Sequence, residues 1–266
     1  MRKVFSSLIL AAFLASLLFA VPGEAALKKE YKLNCNLTEN TIWGQGTARF
    51  VKLVQERTDG KINIKPYYSA QLLSGKQTNE LLMLRNGTID FSYAGPANWT
   101  TQLPAMNLFT LPWFIASTGN TQKAMEAIAH GKAGKMLEDI AAKAGVTVIG
   151  WGYNAPRQLH ANKPIRTPED MKGLKIRVME QPIYIEMMKA LDASPTPMAF
   201  GELFTALQQG TVDGQENPVS VITAAKFEQV QKYMTMTGHV YSPAVTDFVA
   251  VVKNPGTTEE LLAAFD

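Results

Sequence analysis

The chain has 266 residues, of which 46% are hydrophobic and 18% charged, and this suits one large or two modest folded domains. Its formal net charge of +3 at pH 7 and the lack of basic stripes argue against nucleic acid as a partner. The single cysteine, Cys35, excludes an internal disulfide, and we expect it to be a small buried side chain on the first strand.

The N-terminal segment has the pattern of a secretion signal. Arg2 and Lys3 precede an apolar run over 4–20, and small residues follow at Gly23 and Ala25. A positive start, an apolar core and a small-residue site together predict a signal peptide over residues 1–25 that is cleaved on export. A permanent membrane anchor is the alternative, although the run is short for a bilayer span.

The first half of the chain alternates strand and helix patterns. Tyr31, Leu33 and Cys35 alternate with polar residues, which is the strand period. The later patterns predict strands at 62–67, 88–93 and 146–151, and helices at 43–54, 80–84, 122–129 and 132–144. The segment 103–115, which contains three aromatic residues and two prolines, has no clear pattern.

A second block begins with an extended stretch at 157–161. Thr167 before Pro168 is typical of a capped helix start. The apolar run 173–180, with Arg177 at its centre, predicts a buried strand. Further patterns predict helices at 182–191, 201–209 and 221–233, and strands at 212–218, 233–239 and 248–252. Strands separated by helices of this length favour βαβ units and mostly parallel sheets.

One short pattern occurs twice. The stretches 84–90 and 207–213 share the sequence Leu-x-x-Gly-Thr-aliphatic-Asp, and each lies where a predicted helix leads into a strand. A match this short can arise by chance. Taken with the order of strands, it suggests two similar α/β lobes, and the cleft between two lobes is a usual place for a small ligand.

The patterns of common secreted enzymes are missing from the sequence. The histidines His130, His160 and His239 are scattered singly, without the spacing of a metal site, and there is no Gly-x-Ser-x-Gly turn. The glycine–lysine stretch 131–135 lacks the spacer and the hydroxyl residue of a phosphate loop. We therefore expect no catalytic residues, no metal and no cofactor.

Arg177 poses the main question of the sequence, because a guanidinium on a buried strand needs an anion. Arg157 and Asn217 are also predicted at strand ends, and the carboxyl ends of parallel strands gather ligand contacts. Two guanidiniums and an amide suit a carboxylate, since they offer forked donors and do not titrate near neutral pH. The anion could also be an acidic side chain of the protein: Glu180 or Asp170 for Arg177, and Glu216 or Asp213 for Arg157.

Several aromatic residues fall in predicted loops or strand ends. Among them we expect Trp43, Trp99 and Tyr241 to contact the ligand, with a place in the core or at the rim as the alternative for each. Several aromatic contacts would favour a larger or aromatic acid over a small dicarboxylate.

Four stretches of the second block resemble the signature of the solute-binding proteins of tripartite ATP-independent periplasmic (TRAP) transporters, the DctP-like family. They are 157–158, 170–178, 193–200 and 212–218, the last reading Val-Asp-Gly-Gln-Glu-Asn-Pro. The earlier 71–72 and 87–91 agree with it. The resemblance implies a two-lobe α/β periplasmic binding protein of type II-like fold, with a hinge and a central cleft, that closes around an organic acid and delivers it to TRAP membrane subunits.

The resemblance also implies roles for individual residues. Arg177 forms the main salt bridge to the ligand carboxylate, Arg157 and Asn217 assist it, and Phe200 packs on the ligand. The loop at 94–99 departs from the pattern of some sugar-acid binders, which carry an acidic residue there, so the ligand type is not inferred from them.

The resemblance implies a domain organisation and a location. After the signal peptide, lobe 1 is expected over 26–153 and 243–266, and lobe 2 over 154–242, in a monomeric periplasmic protein. Members of the family usually continue for some tens of residues beyond Asp266, so the C-terminal part of lobe 1 is expected to be truncated. A ligand-sensing module outside the cytoplasm and, less favoured, a secreted enzyme are the alternatives.

Overall fold

The computed structural model describes residues 27–114, 120–236 and 246–252, and within them the chain forms two five-stranded sheets. The predicted signal peptide and Tyr241 lie outside the described residues. Within the described part, no helix combines the length and the apolar character needed to cross a membrane.

The first sheet and the helices around it are called lobe 1 here. Its strand order is β2-β1-β3-β10-β4. In chain order its elements are β1 (Tyr31–Cys35), α1 (Ile42–Arg57), β2 (Ile64–Tyr67), α2 (Glu80–Arg85), β3 (Phe91–Ala94), α3 (Thr121–Ala129), α4 (Lys132–Lys143), β4 (Val146–Tyr153) and, near the end of the described chain, β10 (Thr246–Val252). The segment without a clear sequence pattern contains a 3-10 helix, Pro104–Thr110.

The second sheet and its helices are called lobe 2. Its strand order is β7-β6-β8-β5-β9. The elements are β5 (Arg157–Ala161), β6 (Lys175–Val178), α5 (Pro182–Ala190), β7 (Ser194–Pro197), α6 (Phe200–Gln208), β8 (Gly214–Pro218), α7 (Val219–Ala224) and β9 (Tyr233–Thr235). The chain passes from lobe 1 to lobe 2 between β4 and β5. The exact lobe boundaries stay a prediction.

The predicted two-lobe α/β fold is confirmed, and the pairing within each sheet is mixed. β1 pairs in parallel with β2 and β3, and β6 does the same with β7 and β8. β10 and β5 are antiparallel to both of their neighbours. These two strands enter a sheet from the other lobe, without a crossover helix that would return the chain in the parallel direction.

Each lobe has an apolar core of its own. In lobe 1, Leu81, Trp99 and Phe109 belong to a large cluster beneath the sheet, and all are fully buried. In lobe 2, Ile176 and Met188 belong to the matching cluster. Burial of apolar surface contributes about 25 cal/mol per Å² to stability. Each sheet is therefore held by its own core and can position side chains at the edge that faces the other lobe.

The short pattern that occurs twice in the sequence occupies the same structural position in both lobes. Asp90 N donates to the Lys32 carbonyl at 2.9 Å, and Lys32 N donates to the Asp90 carboxylate at 2.8 Å. Asp213 and Lys175 make the same pair of bonds, at 2.7 and 2.8 Å. The two aspartates therefore fasten equivalent strand starts, which supports the interpretation of two similar lobes.

The sequence analysis and the structure differ at two elements. The helix predicted at 221–233 ends at Ala224, because Lys226 adopts a left-handed conformation (φ 56°) and the chain continues as a 3-10 turn. Strand β7 was not predicted, since Pro195 and Pro197 argue against a strand interior. It lies at the edge of its sheet, where a missing backbone N–H can face away from the ladder.

Candidate functional site

A cavity lies between the two lobes. Its wall draws on both sheets and on the connection between them. The lining residues are Leu37, Trp43, Gln77, Gly95, Ala97 and Asn98 from lobe 1, Asn154 from the connection, and Arg157, Arg177, Met179, Phe200, Asn217, Pro218 and Val221 from lobe 2. Four of the predicted ligand contacts in lobe 2, the two arginines, Asn217 and Phe200, therefore share one wall.

The topology of lobe 2 explains why these residues meet. β6 and β8 are parallel, so the C-terminal ends that carry Arg177 and Asn217 lie at the same edge of the sheet. β5 is antiparallel to β8 and brings its first residue, Arg157, opposite Pro218 at that edge. Phe200 begins α6, which follows the edge strand β7. Residues far apart in the chain thus converge where the sheet faces lobe 1.

Arg157 pairs with an acid of its own lobe, as one of the sequence alternatives proposed. Its Nε donates to the Glu216 carboxylate, and Nη2 donates to Glu216 Oε1 at 2.9 Å and to Asn217 Oδ1 at 3.1 Å. Its guanidinium also stands 5.8 Å from the centroid of the Tyr184 ring. Arg157 and Glu216 are both buried, so the charge of Arg157 is compensated within the protein.

Arg177 is buried to the same degree and has no such acid. Its Nε and Nη2 donate to the Met198 carbonyl at 3.0 and 2.8 Å. Among the described residues, no carboxylate forms an ion pair with it. The carbonyl occupies the Nε–Nη2 edge of the guanidinium, which leaves Nη1 and the second Nη2 hydrogen as donors. This is the forked edge that a carboxylate binds with two hydrogen bonds.

The surroundings lower the pKa of Arg177 to about 10. Burial is the main cause, the nearby Glu216 opposes it, and the positive charge of Arg157 adds to it. The guanidinium remains charged at neutral pH, because its pKa is still well above 7. A buried cation that is charged and not compensated is costly for the protein alone and becomes favourable once an anion enters.

Two aromatic side chains, Phe200 and Trp43, line the same cavity as Arg177. The Phe200 ring centroid lies 5.9 Å from the Arg177 guanidinium. Trp43, from lobe 1, is 7% exposed, and its indole Nε1 finds no hydrogen-bond partner among the described residues. A buried N–H without an acceptor is uncommon, and here it belongs to a residue of the cavity wall, where a ligand oxygen could accept it.

The structure places Trp99, also predicted as a ligand contact, in the core of lobe 1 and not in the cavity wall. It is fully buried, and its Nε1 donates to Glu80 Oε2 at 3.0 Å. The 3-10 helix Pro96–Trp99 turns neighbouring residues to different sides, so Asn98 reaches the cavity while Trp99 points inward. This loop therefore reaches the cavity through Gly95, Ala97 and Asn98 and not through Trp99.

Glu80 is the centre of a polar cluster behind this wall. Its Oε1 accepts from Asn34 at 3.1 Å, Asn36 at 2.9 Å and Ser92 at 2.5 Å, and its Oε2 accepts from the Trp99 indole. The Asn98 side chain also lowers the pKa of Glu80. Burial raises the pKa of Glu80 from 4.5 to about 7, and these hydrogen bonds hold it lower than burial alone would. The described residues contain no cation paired with it.

The wall also contains residues that the sequence did not single out, namely Asn98, Gln77, Leu37, Asn154, Met179 and Val221. Asn98 and its loop carried a signal, since the loop was noted for its glycine and proline. The others follow from lobe-to-lobe contact, which has no local pattern. No group of three or more acidic, histidine or cysteine side chains suited to a metal ion occurs within the described ranges.

The family model of bacterial extracellular solute-binding proteins, family 7, matches residues 33–249 of the chain. A solute-binding protein of Verminephrobacter eiseniae is 37% identical over 222 residues, which are 83% of this chain and 64% of that protein. The chain thus spans less than two thirds of the length of this relative.

Solved structures show the same similarity. A TRAP periplasmic solute-binding protein of Ralstonia eutropha, crystallised with (S)-2-acetolactate, superposes with a TM-score of 0.82 at 40% identity, over 89% of this chain and 76% of that one. A TRAP protein of Sulfurospirillum deleyianum with bound succinate gives 0.79 at 29% identity, over 88% and 75% of the two chains.

Proposed function

The chain belongs to family 7 of the bacterial extracellular solute-binding proteins, and from this we propose that it captures a small organic acid between its lobes and delivers it to the membrane subunits of a TRAP transporter. Its place of action is then the periplasm, reached through the predicted N-terminal signal. The relatives with acetolactate and succinate are carboxylate binders, which supports a carboxylate as the ligand here.

The observation that carries this proposal is the guanidinium of Arg177. It is 1% exposed, lines the cavity and keeps a forked donor edge that no described side chain occupies. A carboxylate on this edge would receive two charge-assisted hydrogen bonds and would compensate a buried charge. Asn217 and Phe200 would hold the carboxylate and the carbon chain next to it.

Closure of the lobes is part of the proposed mechanism. Leu37 and Trp43 of lobe 1 already pack with Val221 of lobe 2 in one buried apolar cluster. Asn40 Nδ2 also donates across the cleft to the Ala224 carbonyl at 3.2 Å. The lobes are therefore in contact in this structure. A ligand held by both walls would bind this closed arrangement more tightly than an open one, and this difference in affinity would favour closure.

The proposal is tested by calorimetric titration of organic acids into the protein and into the variant Arg177→Met. We expect at least one acid to bind the unchanged protein, with at least a 100-fold loss of affinity in the variant. Arg166→Met, at an exposed arginine of lobe 2, is the matched control and should bind normally. Equal binding by both variants, or no acid that binds the unchanged protein, would contradict the proposed function.

A parallel measurement addresses turnover. Incubation of the protein with its ligand should return the ligand chemically unchanged, as expected of a binding protein. A product that appears with the protein and is absent with a heat-denatured sample would instead favour the secreted enzyme.

A further inference from the structure

We propose that the cavity selects a hydroxylated monocarboxylate over a dicarboxylate, and that Glu80 is a positioning residue that produces this selection from behind the wall of lobe 1. This inference rests on the proposed function, because it specifies the ligand of the same cavity. It follows from the charge and hydrogen-bonding capacity of the two walls.

The wall of lobe 2 has room for one negative charge. Arg157 and Glu216 compensate each other through direct hydrogen bonds, so their sum is neutral. Arg177 is the cation that remains. One carboxylate makes this wall neutral, whereas a second carboxylate in the cavity would be a buried charge without a partner on this side.

The wall of lobe 1 has no charge to offer a second carboxylate. Its lining residues are Leu37, Trp43, Gln77, Gly95, Ala97 and Asn98, and all are neutral. Three of them are polar at the side chain, and these can bind uncharged oxygen atoms. The part of the ligand that faces lobe 1 is therefore expected to be polar and uncharged.

Glu80 makes this neutral wall unfavourable for anions. Its carboxylate is fully buried and accepts from Asn34, Asn36, Ser92 and Trp99, with no paired cation among the described residues. Every group that these bonds present to it is neutral. A charge enclosed in this way acts over a longer distance than one in water, since little solvent screens it, and it repels an anion on the cavity side of Asn98.

Glu80 also determines which atoms the wall presents. Asn98 lowers the pKa of Glu80, which is the effect of an amide whose N–H faces a carboxylate, since an ionised carboxylate only accepts hydrogen bonds. The amide oxygen of Asn98 is then the acceptor available at the wall, and a ligand hydroxyl is a donor that fits it. Trp43 Nε1, buried and without an acceptor among the described residues, is the complementary donor for a ligand oxygen.

The test compares three acids of equal chain length: erythronate, which has one carboxylate and several hydroxyls, butyrate, which has no hydroxyl, and succinate, which has two carboxylates. Titration calorimetry at about pH 8, where a buried carboxyl with a raised pKa is ionised, should give erythronate at least a ten-fold tighter Kd than either of the others. Succinate binding as tightly as erythronate would overturn the selection and leave the proposed function standing. If neither these three acids nor any other organic acid binds, the selection and the proposed function are both overturned.

The variant Glu80→Gln isolates the role of Glu80. We expect the preference for erythronate over succinate to fall by at least ten-fold, mainly through tighter succinate binding. Glu138→Gln is a matched control, because Glu138 also accepts from an indole in lobe 1, that of Trp151 at 2.7 Å, and does not line the cavity. An unchanged preference in Glu80→Gln would overturn the proposal.

A pH comparison separates this role from a merely structural one. In the unchanged protein, the preference for erythronate over succinate should weaken between about pH 8 and about pH 6.5, as protonation removes the charge behind the wall. In Glu80→Gln it should stay constant. If that variant does not fold, Asn98→Leu replaces it: loss of the acceptor should weaken erythronate at least ten-fold and leave butyrate unchanged, and equal effects on both acids would count against the proposal.

Discussion

Arg157 and Arg177 show how one residue type takes two roles within a single wall. Both are buried, but Arg157 is held by Glu216, whereas the side chain of Arg177 hydrogen-bonds only the carbonyl of Met198 among the described residues. Arg157, paired with Glu216, contributes hydrogen-bond donors to the wall without adding net charge to it. Arg177 supplies the net positive charge of the wall. The two arginines therefore have different roles, although both are arginines on predicted strands of the same block.

Loss of the acid beside Arg157 should be costly for the fold. In Glu216→Gln the guanidinium of Arg157 keeps its charge and loses its counter-charge in a buried place. We expect the free energy of unfolding to fall by about 3–5 kcal/mol, as for other broken buried pairs. Urea denaturation measures this, and Glu202→Gln, at an exposed glutamate of the same lobe, should change stability by less than about 0.5 kcal/mol.

Glu80 should make stability depend on pH. Its pKa is about 7 in the folded protein and near 4.5 in the unfolded chain, so the folded state holds the proton more tightly. The stabilisation from this proton is complete below about pH 4.5 and is lost as pH rises through about 7, a change of about 3 kcal/mol.

Denaturation of the unchanged protein and of Glu80→Gln at about pH 5.5 and about pH 8 isolates this contribution, since other titrating groups affect both proteins equally. The unchanged protein should lose more stability than the variant on going to the higher pH. An equal pH dependence in the two proteins would be inconsistent with a raised pKa at Glu80.

At the residue scale, the sequence was informative wherever chemistry depended on a strand end. Arg157, Arg177 and Asn217 could be predicted together because buried strands and their ends follow from local pattern. Glu80 could not, since a glutamate in a short helix normally faces solvent. Its burial arises from Asn34, 46 positions away, and from Trp99, 19 positions away.

At the scale of elements, the equivalent aspartates Asp90 and Asp213 have the clearest energetic role. The Asp90 carboxylate accepts from the backbone N–H of Lys32, the second residue of β1, and the Asp213 carboxylate accepts from that of Lys175, the first residue of β6. This satisfies a backbone donor at the beginning of the ladder, in addition to the backbone bond that each aspartate makes itself.

We predict that Asp213→Ala lowers the free energy of unfolding by about 1–3 kcal/mol, because the N–H of Lys175 loses its acceptor. Asp213→Asn keeps an acceptor oxygen and should cost less than half as much. Asp90→Ala should cost a similar amount in lobe 1. Guanidinium denaturation of the three variants checks this, and an alanine variant as stable as the unchanged protein would argue against the role given to the aspartate.

Element boundaries were predictable where local pattern and tertiary context agree. The strand 157–161 and the cap at Thr167 match the structure, since alternation and capping act within a few residues. β7 was missed because only its neighbour β6 makes the proline-containing segment a strand. The helix predicted at 221–233 failed because apolar spacing continued beyond the turn at Lys226.

For the molecule as a whole, the contact between lobes sets how readily the cavity opens. Val221 is 5% exposed and packs with Leu37 and Trp43 of the other lobe. We predict that Val221→Ala weakens ligand binding by about five-fold, equivalent to about 1 kcal/mol of lost apolar contact in the closed form. Ile222→Val, which changes the interior of lobe 2 alone, is the control.

Small-angle X-ray scattering distinguishes an effect on closure from a local one. The free Val221→Ala protein should have a larger radius of gyration than the free unchanged protein, and saturating ligand should bring both to the same value. Identical radii in the free state, together with normal affinity, would show that this contact does not hold the lobes together.

The position of β10 has a consequence for how the chain reaches its native state. This strand lies between β3 and β4, yet it follows every strand of lobe 2 along the chain. Until it arrives, the sheet of lobe 1 is split and two of its edges are open, whereas lobe 2 can form from one continuous stretch. We expect pulsed hydrogen exchange during refolding to show early protection in lobe 2, and the exposed edges of the unfinished sheet to be where premature association begins.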